Sequence, residues 1–154
     1  MADVVNAATR SRMMSGIRSR DTMPERLIRS ELHRLGFRFR LHSSKIPGRP
    51  DLVLPKYRVA VFVHGCFWHG HDCPLFRLPR TRRDFWKAKI NRNRERDDQV
   101  KQAILEAGWR HLTVWECAFR GGGEDAVART AKRAAHWLQL GSRRSDRIRG
   151  ARAR

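Results

Sequence analysis

Apolar and polar positions follow two different periods along the chain, and the switches between them mark out its elements. Leu27, Ile28, Leu32 and Leu35 recur at helical spacing after Thr22-Met-Pro-Glu25 and before Gly36. A Thr followed three residues later by Glu, with Pro in the first turn, suits a capped helix start. Phe37, Phe39 and Leu41 then alternate with Arg38, Arg40 and His42, as in a half-exposed strand. Gly48-Arg-Pro-Asp51 reads as a turn feeding Leu52-Val-Leu54, and Val59-Ala-Val-Phe-Val63 reads as a buried strand. Residues 64–80 have no period and hold most of the chemically interesting side chains, which marks a long functional loop. A helix is predicted from Thr81 to Ala107, ended by Gly108, with Phe85, Ile90, Val100, Ile104 and Leu105 as core contacts. Trp109 to Glu116 follows as a strand, with Trp109 and Trp115 assigned to the core. Residues 124–140 form the last helix, with Val127, Ala131, Ala134, Ala135 and Leu138 on one side.

The order helix, three strands, helix, strand, helix places the chain in the α/β class, and 154 residues suit a single domain. Residues 1–21 read as a polar, Arg-rich arm with a short helix that is marginal alone. Residues 22–141 form the domain, and residues 142–154 read as a basic, disordered tail. No apolar run approaches the length of a membrane span and the N-terminus does not read as a signal peptide, so a cytoplasmic protein without a membrane partner is expected.

Charge narrows the function. Lys and Arg number 34 against 15 Asp and Glu, a formal net charge of +19. Such a surface seeks a polyanion, with nucleic acid the first candidate. The stretch 143–154 carries six Arg and one Asp, so most of the excess belongs to the rest of the chain.

Cysteine occurs only at 66, 73 and 117, too few and too odd for a closed disulfide framework. With His71 they form a Cys-x4-His-x-Cys cluster closed by a Cys at the end of a predicted strand. Cys₃His is a standard tetrahedral zinc set, and a closed shell makes the metal structural. The alternative is three small buried hydrophobes beside a solvated His. Asp51, after Pro50 at the mouth of a strand, suits a hard cation such as Mg²⁺, although most Pro-Asp pairs are plain turns. His64 and His69 bracket the same loop and Glu25 lies on the preceding helix; these four can converge on one metal and one water. Either His can instead be a packed residue or a neighbour of the zinc.

Phe67 and Trp68 sit in the metal-tied loop, and Trp86 lies among Arg82, Arg83, Lys87 and Lys89. Aromatics beside cations suit stacking on bases or insertion into a duplex, with ordinary core packing as the alternative. Lys89 and Asn93, four apart, share a helix side and can read base edges; a solvated charged face is the alternative.

Taken together, Thr9-Arg-Ser11, Asp21-Thr22 with Glu25, Pro47-Gly-Arg-Pro-Asp51, His64-Gly-Cys-Phe-Trp-His69 with His71 and Cys73, Arg82-x-x-Phe-Trp86, Lys89-Ile90 with Asn93, Glu95-Arg-Asp97, Trp109-Arg and Val114-Trp-Glu-Cys117 resemble the bacterial very-short-patch repair endonucleases. The resemblance runs from about Ala8 to Arg120. It implies a restriction-endonuclease-like core and an enzyme that nicks the thymine strand of a T·G mismatch left by deamination of 5-methylcytosine. It implies double-stranded DNA as partner, a functional link to a cytosine-5 DNA methyltransferase and to mismatch repair proteins, and a monomer. By position, the resemblance implies that Asp51 binds catalytic Mg²⁺, that His69 is the base or water activator, that His64 and Glu25 assist, and that Cys66, His71, Cys73 and Cys117 hold Zn²⁺. The resemblance further implies that Phe67, Trp68 and Trp86 wedge into the duplex, that Met14 enters from the other groove, and that Lys89 with Asn93 contacts the mismatched pair. Related restriction enzymes carry an acidic-x-Lys pair on the strand that here reads Val61-Phe-Val-His64, so histidine replaces lysine chemistry. Val63 stands where the family usually has Thr, and a metal held by the main-chain carbonyl is served equally by either. The rival readings are a nuclease with a different mismatch or double-strand habit, and a catalytically silent zinc-stabilised DNA-binding protein.

Overall fold

The computed structural model describes residues 21–151. Among them the order is α1 (Met23–Arg34), β1 (Arg40–Leu41), β2 (Leu52–Leu54), β3 (Val59–His64), α2 (Arg83–Glu106), β4 (Arg110–Trp115), a 3₁₀ turn (Glu116–Ala118), α3 (Gly123–Leu140) and β5 (Ser145–Ile148). The strands form one mixed sheet in the order β1-β2-β3-β4-β5. β1, β2 and β3 pair antiparallel, whereas β3, β4 and β5 run parallel. The N-terminal arm, Met14 included, lies outside the described residues.

The side-chain period of two sorts the sheet into a structural face and a chemical one. Val59, Val61 and Val63 of β3, Leu112 and Val114 of β4 and Ile148 of β5 join Ile28 and Leu32 of α1 and Ala131, Ala134 and Leu138 of α3 in the main core. The alternate residues Ala60 and Phe62 meet Ile104 of α2, with Val100 and Trp109 packed against them. Continuing that alternation puts His64, His111, Thr113 and Trp115 on the α2 side, where they line a groove. The periodic pattern that builds the core therefore also delivers the reactive side chains to one face.

Three expectations are corrected. Of the strand expected over Phe37 to Leu41, only Arg40 and Leu41 pair, because Phe37 is tied to the end of α1, its N–H donating to the Leu32 carbonyl at 3.0 Å, and its ring packs into the main core against Tyr57. Phe85 is 40% exposed, and the core side of α2 begins only at Ile90. The tail expected to be disordered contains β5, whose residues 145–148 lie against residues 111–114 of β4. Its composition is that of a solvated segment, but Ile148 is buried and Arg149 pairs with the side chain of Asp72. A chain ending at Gly141 is expected to lose about 3 kcal/mol, from the burial of Ile148 and the parallel ladder bonds. Urea unfolding measures this, and a midpoint equal to that of the full chain would mean that β5 docks without stabilising.

Candidate active site and metal centre

The N-terminus of α1 starts as its residue types require. The Thr22 side chain accepts the Glu25 backbone N–H at 3.5 Å, and Pro24 occupies the first turn. The Glu25 carboxylate is buried and partnered: its Oε2 accepts from the Asp21 backbone N–H at 3.0 Å and lies 3.1 Å from His42 Nε2. Glu25 is only 3% exposed and sits beside Asp51.

Asp51 enters β2, and its Oδ2 accepts the backbone N–H of Val63 across the antiparallel pair at 2.7 Å. Burial pushes the Asp51 carboxyl well above the ordinary carboxylate range; the Val63 hydrogen bond opposes this and the charge of Glu25 adds to it. Two carboxyl groups crowded at low dielectric are poised for a cation, which offsets both the desolvation and the mutual repulsion. The Val63 side chain is in the main core, so only its main chain is available on the Asp51 side.

His64 ends β3 and His69 lies in the following loop, their rings parallel at 3.8 Å and 6°. Burial holds His64 well below its ordinary pKa, with His69, His111 and His71 adding to the effect, so the ring is neutral. His69 Nδ1 lies 2.5 Å from Asp97 Oδ2 on α2. That contact fixes the ring and leaves Nε2 to take a proton. The loop is held by α2: Asn93 Nδ2 donates to the Trp68 carbonyl at 2.8 Å, Arg94 Nε donates to the His69 carbonyl at 3.3 Å, and Arg94 also reaches the Gly70 carbonyl. Gly70 is required there, because its φ is +58° and a Cβ would meet Ile90 Cγ2 at 2.5 Å.

Asp51, His64, His69 and Asp97 line a groove of about 990 Å³ whose floor is Phe62, His111, Thr113 and Trp115. Trp115, expected in the core, is half-buried: it stacks on His71 at 3.8 Å and meets His64 edge-on at 5.2 Å. It thus separates the catalytic candidates from the cysteine cluster. From the sequence alone Asp97 had no role and Trp115 only a place in the core. The acidic residue in the Glu95-Arg-Asp97 motif was the available signal, whereas the pairing of Trp115 with His71 is visible only in three dimensions.

Cys66, His71, Cys73 and Cys117 bring their ligand atoms within 4.8 Å of one another. His71 Nδ1 faces Cys117 Sγ at 3.5 Å, and the Gly150 backbone N–H donates to that sulfur at 3.3 Å. A Cβ on Gly150 would stand 2.4 Å from the Cys117 carbonyl oxygen, so only glycine lets the segment after β5 pass this close to the cluster. Burial raises the Cys66 and Cys117 thiols and lowers His71 to about 4. Such thiols ionise readily only onto a metal, and the neutral imidazole is the form that ligates. The donor set fits a tetrahedral dication.

Phe67, Trp68 and Trp86 form a half-buried aromatic group, with Phe67 5.1 Å from Trp68 and 5.5 Å from Trp86. Lys89 Nζ lies 5.5 Å from the Trp68 ring and 5.8 Å from that of Trp86. Lys89 and Asn93 therefore share the side of α2 that meets this group.

The comparisons decide the family. The family model described as DNA mismatch endonuclease Vsr matches residues 2–75. The DNA mismatch endonuclease Vsr of Escherichia coli (strain K12) is 46% identical over 90% of this chain and 88% of its own length. The chain belongs to the Vsr DNA mismatch endonuclease family. The type II nicking enzyme V.XorIIP of Xanthomonas oryzae is 47% identical over 76% of this chain and 86% of its own length. The type II nicking enzyme V.NmeAIP of Neisseria meningitidis is 41% identical over 78% and 86%. This membership supports nuclease action on DNA. Among the described residues, no helix is long and apolar enough to cross a membrane.

The groove floor also predicts an acid response. Burial lowers His111 to about 4, with the charge of Lys101 second, while the unfolded chain protonates this group from about 6.5 downward. The folded pKa is depressed, so the neutral ring's stabilisation is complete above pH 6.5 and is lost as pH falls toward 4. His111→Gln is expected to remove about 3 kcal/mol of that acid loss. Urea unfolding across this window checks it; an unchanged pH slope would assign the loss to other groups.

Proposed function

We propose that the protein nicks the thymine-bearing strand at T·G mismatches by Mg²⁺-dependent phosphodiester hydrolysis. One observation carries this reading: Asp51, His64 and His69 line a single groove, with Glu25 buried behind Asp51 and the Phe67, Trp68 and Trp86 group joining the groove's loop through Trp68, the neighbour of His69. Asp51 and the Val63 carbonyl would hold Mg²⁺, with Glu25 assisting. The bound cation supplies charge neutralisation at the phosphoryl oxygens. His69 Nε2 takes the proton from the attacking water, Asp97 keeps the ring in the required tautomer, and His64 packs against its face. Cys66, His71, Cys73 and Cys117 would hold Zn²⁺, which ties the loop to the end of β4.

The aromatic group serves as the wedge, with Met14 of the arm entering from the opposite groove and Lys89 and Asn93 contacting the mismatched pair. Opening a base step costs a few kcal/mol, and less where pairing is already defective, so insertion itself selects the mismatch. The relatives' description as nicking enzymes supports cleavage of one strand. The mixed sheet flanked by helices supports a restriction-endonuclease-like core, and the high positive charge supports a duplex substrate. A functional link to a cytosine-5 DNA methyltransferase and to mismatch repair proteins, and action as a cytoplasmic monomer, belong to the same reading.

The test is single-turnover incubation with strand-labelled matched and T·G duplexes, with and without Mg²⁺. The expected product is a nick in the thymine strand alone, only with the mismatch and the cation. Equal cleavage of matched duplex, or cutting of both strands, would overturn the specificity.

A further inference from the structure

The groove holds a second set of donors whose chemistry differs from that of Asp51 and Glu25. One nitrogen of His64, one of His69 and a carboxylate oxygen of Asp97 lie within 4.8 Å of one another. His64 Nδ1 is buried and has no hydrogen-bond partner. Two imidazoles and one carboxylate suit a borderline dication such as Zn²⁺ or Co²⁺, whereas Mg²⁺ prefers oxygen ligands and gives up its water reluctantly. Asp51 and Glu25, by contrast, offer oxygens alone.

We infer that His64, His69 and Asp97 form a separate, transition-metal-selective site, and that a cation bound there silences the enzyme. On entry the cation replaces the proton shared between His69 Nδ1 and Asp97 Oδ2, which stand 2.5 Å apart. That proton moves to His69 Nε2, so the ring binds as a neutral imidazole whose second nitrogen no longer accepts. A turn of the His69 ring on its loop opens the parallel stack so that its lone pair and that of His64 converge. The ring that would accept the proton of water is then held by the metal. Silencing rests on the reading of His69 as that acceptor; binding does not.

Co²⁺ is the probe, since its visible absorption distinguishes nitrogen and oxygen ligands from thiolates. The full-length protein carrying zinc at its cysteine cluster is titrated with Co²⁺, with and without excess Mg²⁺. The expected result is uptake of about one further Co²⁺ per chain. Its spectrum lacks thiolate charge-transfer bands, and Mg²⁺ does not displace it. His64→Ala and Asp97→Asn, each checked for fold by its circular dichroism, should both lose this uptake. Absence of such uptake in the parental protein, or its persistence in both variants, overturns the site. Under saturating Mg²⁺, one added equivalent of Zn²⁺ should slow single-turnover nicking by about 100-fold. Metal uptake with undiminished nicking would uphold the site and overturn both the silencing and the role of His69.

Discussion

Replacing Asp51 with Asn is expected to lower single-turnover nicking at saturating T·G duplex by about 10³-fold, or about 4 kcal/mol of transition-state stabilisation, while affinity for that duplex stays at the parental value. The side chain keeps its shape and can still accept from the Val63 backbone N–H, now through the amide oxygen, so the groove retains its form. What is lost is the charge that balances a dication. The same substitution should leave thermal stability undiminished or raised, because it removes one of two carboxyl groups that burial and mutual repulsion disfavour in their charged state. The pair of measurements separates chemistry from folding. Parental nicking by Asp51→Asn would overturn the active-site assignment, and a loss of both activity and stability would make Asp51 a structural residue.

Cys117→Ala should have the second large effect, the loss of bound zinc together with stability on the order of 5 kcal/mol or more. Of the four proposed zinc ligands, Cys117 is the one supplied from beyond the loop, through the 3₁₀ turn after β4. Without it, the metal would no longer tie residues 66–73 to the end of β4. His69 lies inside that span and Trp115 stacks on His71, so nicking should fall with the metal. Elemental analysis of the purified protein, a thermal melt and the nicking assay report the three losses separately. Full stability in a metal-free variant would remove zinc from the account of this fold.

Much of this arrangement was already determined by the sequence. Thr22, Pro24 and Glu25 specify a helix start by local hydrogen bonding, and the helical spacing of Ile28 and Leu32 specifies which side is buried. Val59 to Val63 specify a strand buried on both faces, and the Cys and His types specify a soft-ligand cluster because few other uses need that combination. These signals are short-range, or rest on ligand chemistry that does not depend on where the chain goes. Only the tertiary structure decided the rest. β5 is a strand because β4 presents an open edge and Ile148 finds the core, neither of which the Arg-rich local composition reveals. Asp97 meets His69 across 28 residues, and Trp115 leaves the core to stack on His71, 44 positions away. Glu25 does more than cap its helix, since packing of α1 sets its carboxylate beside Asp51. The physical reason is common to these cases: an isolated segment carries its own propensity and charge, but the dielectric, the partners and the sheet edges that give a side chain its role are created only when distant segments pack.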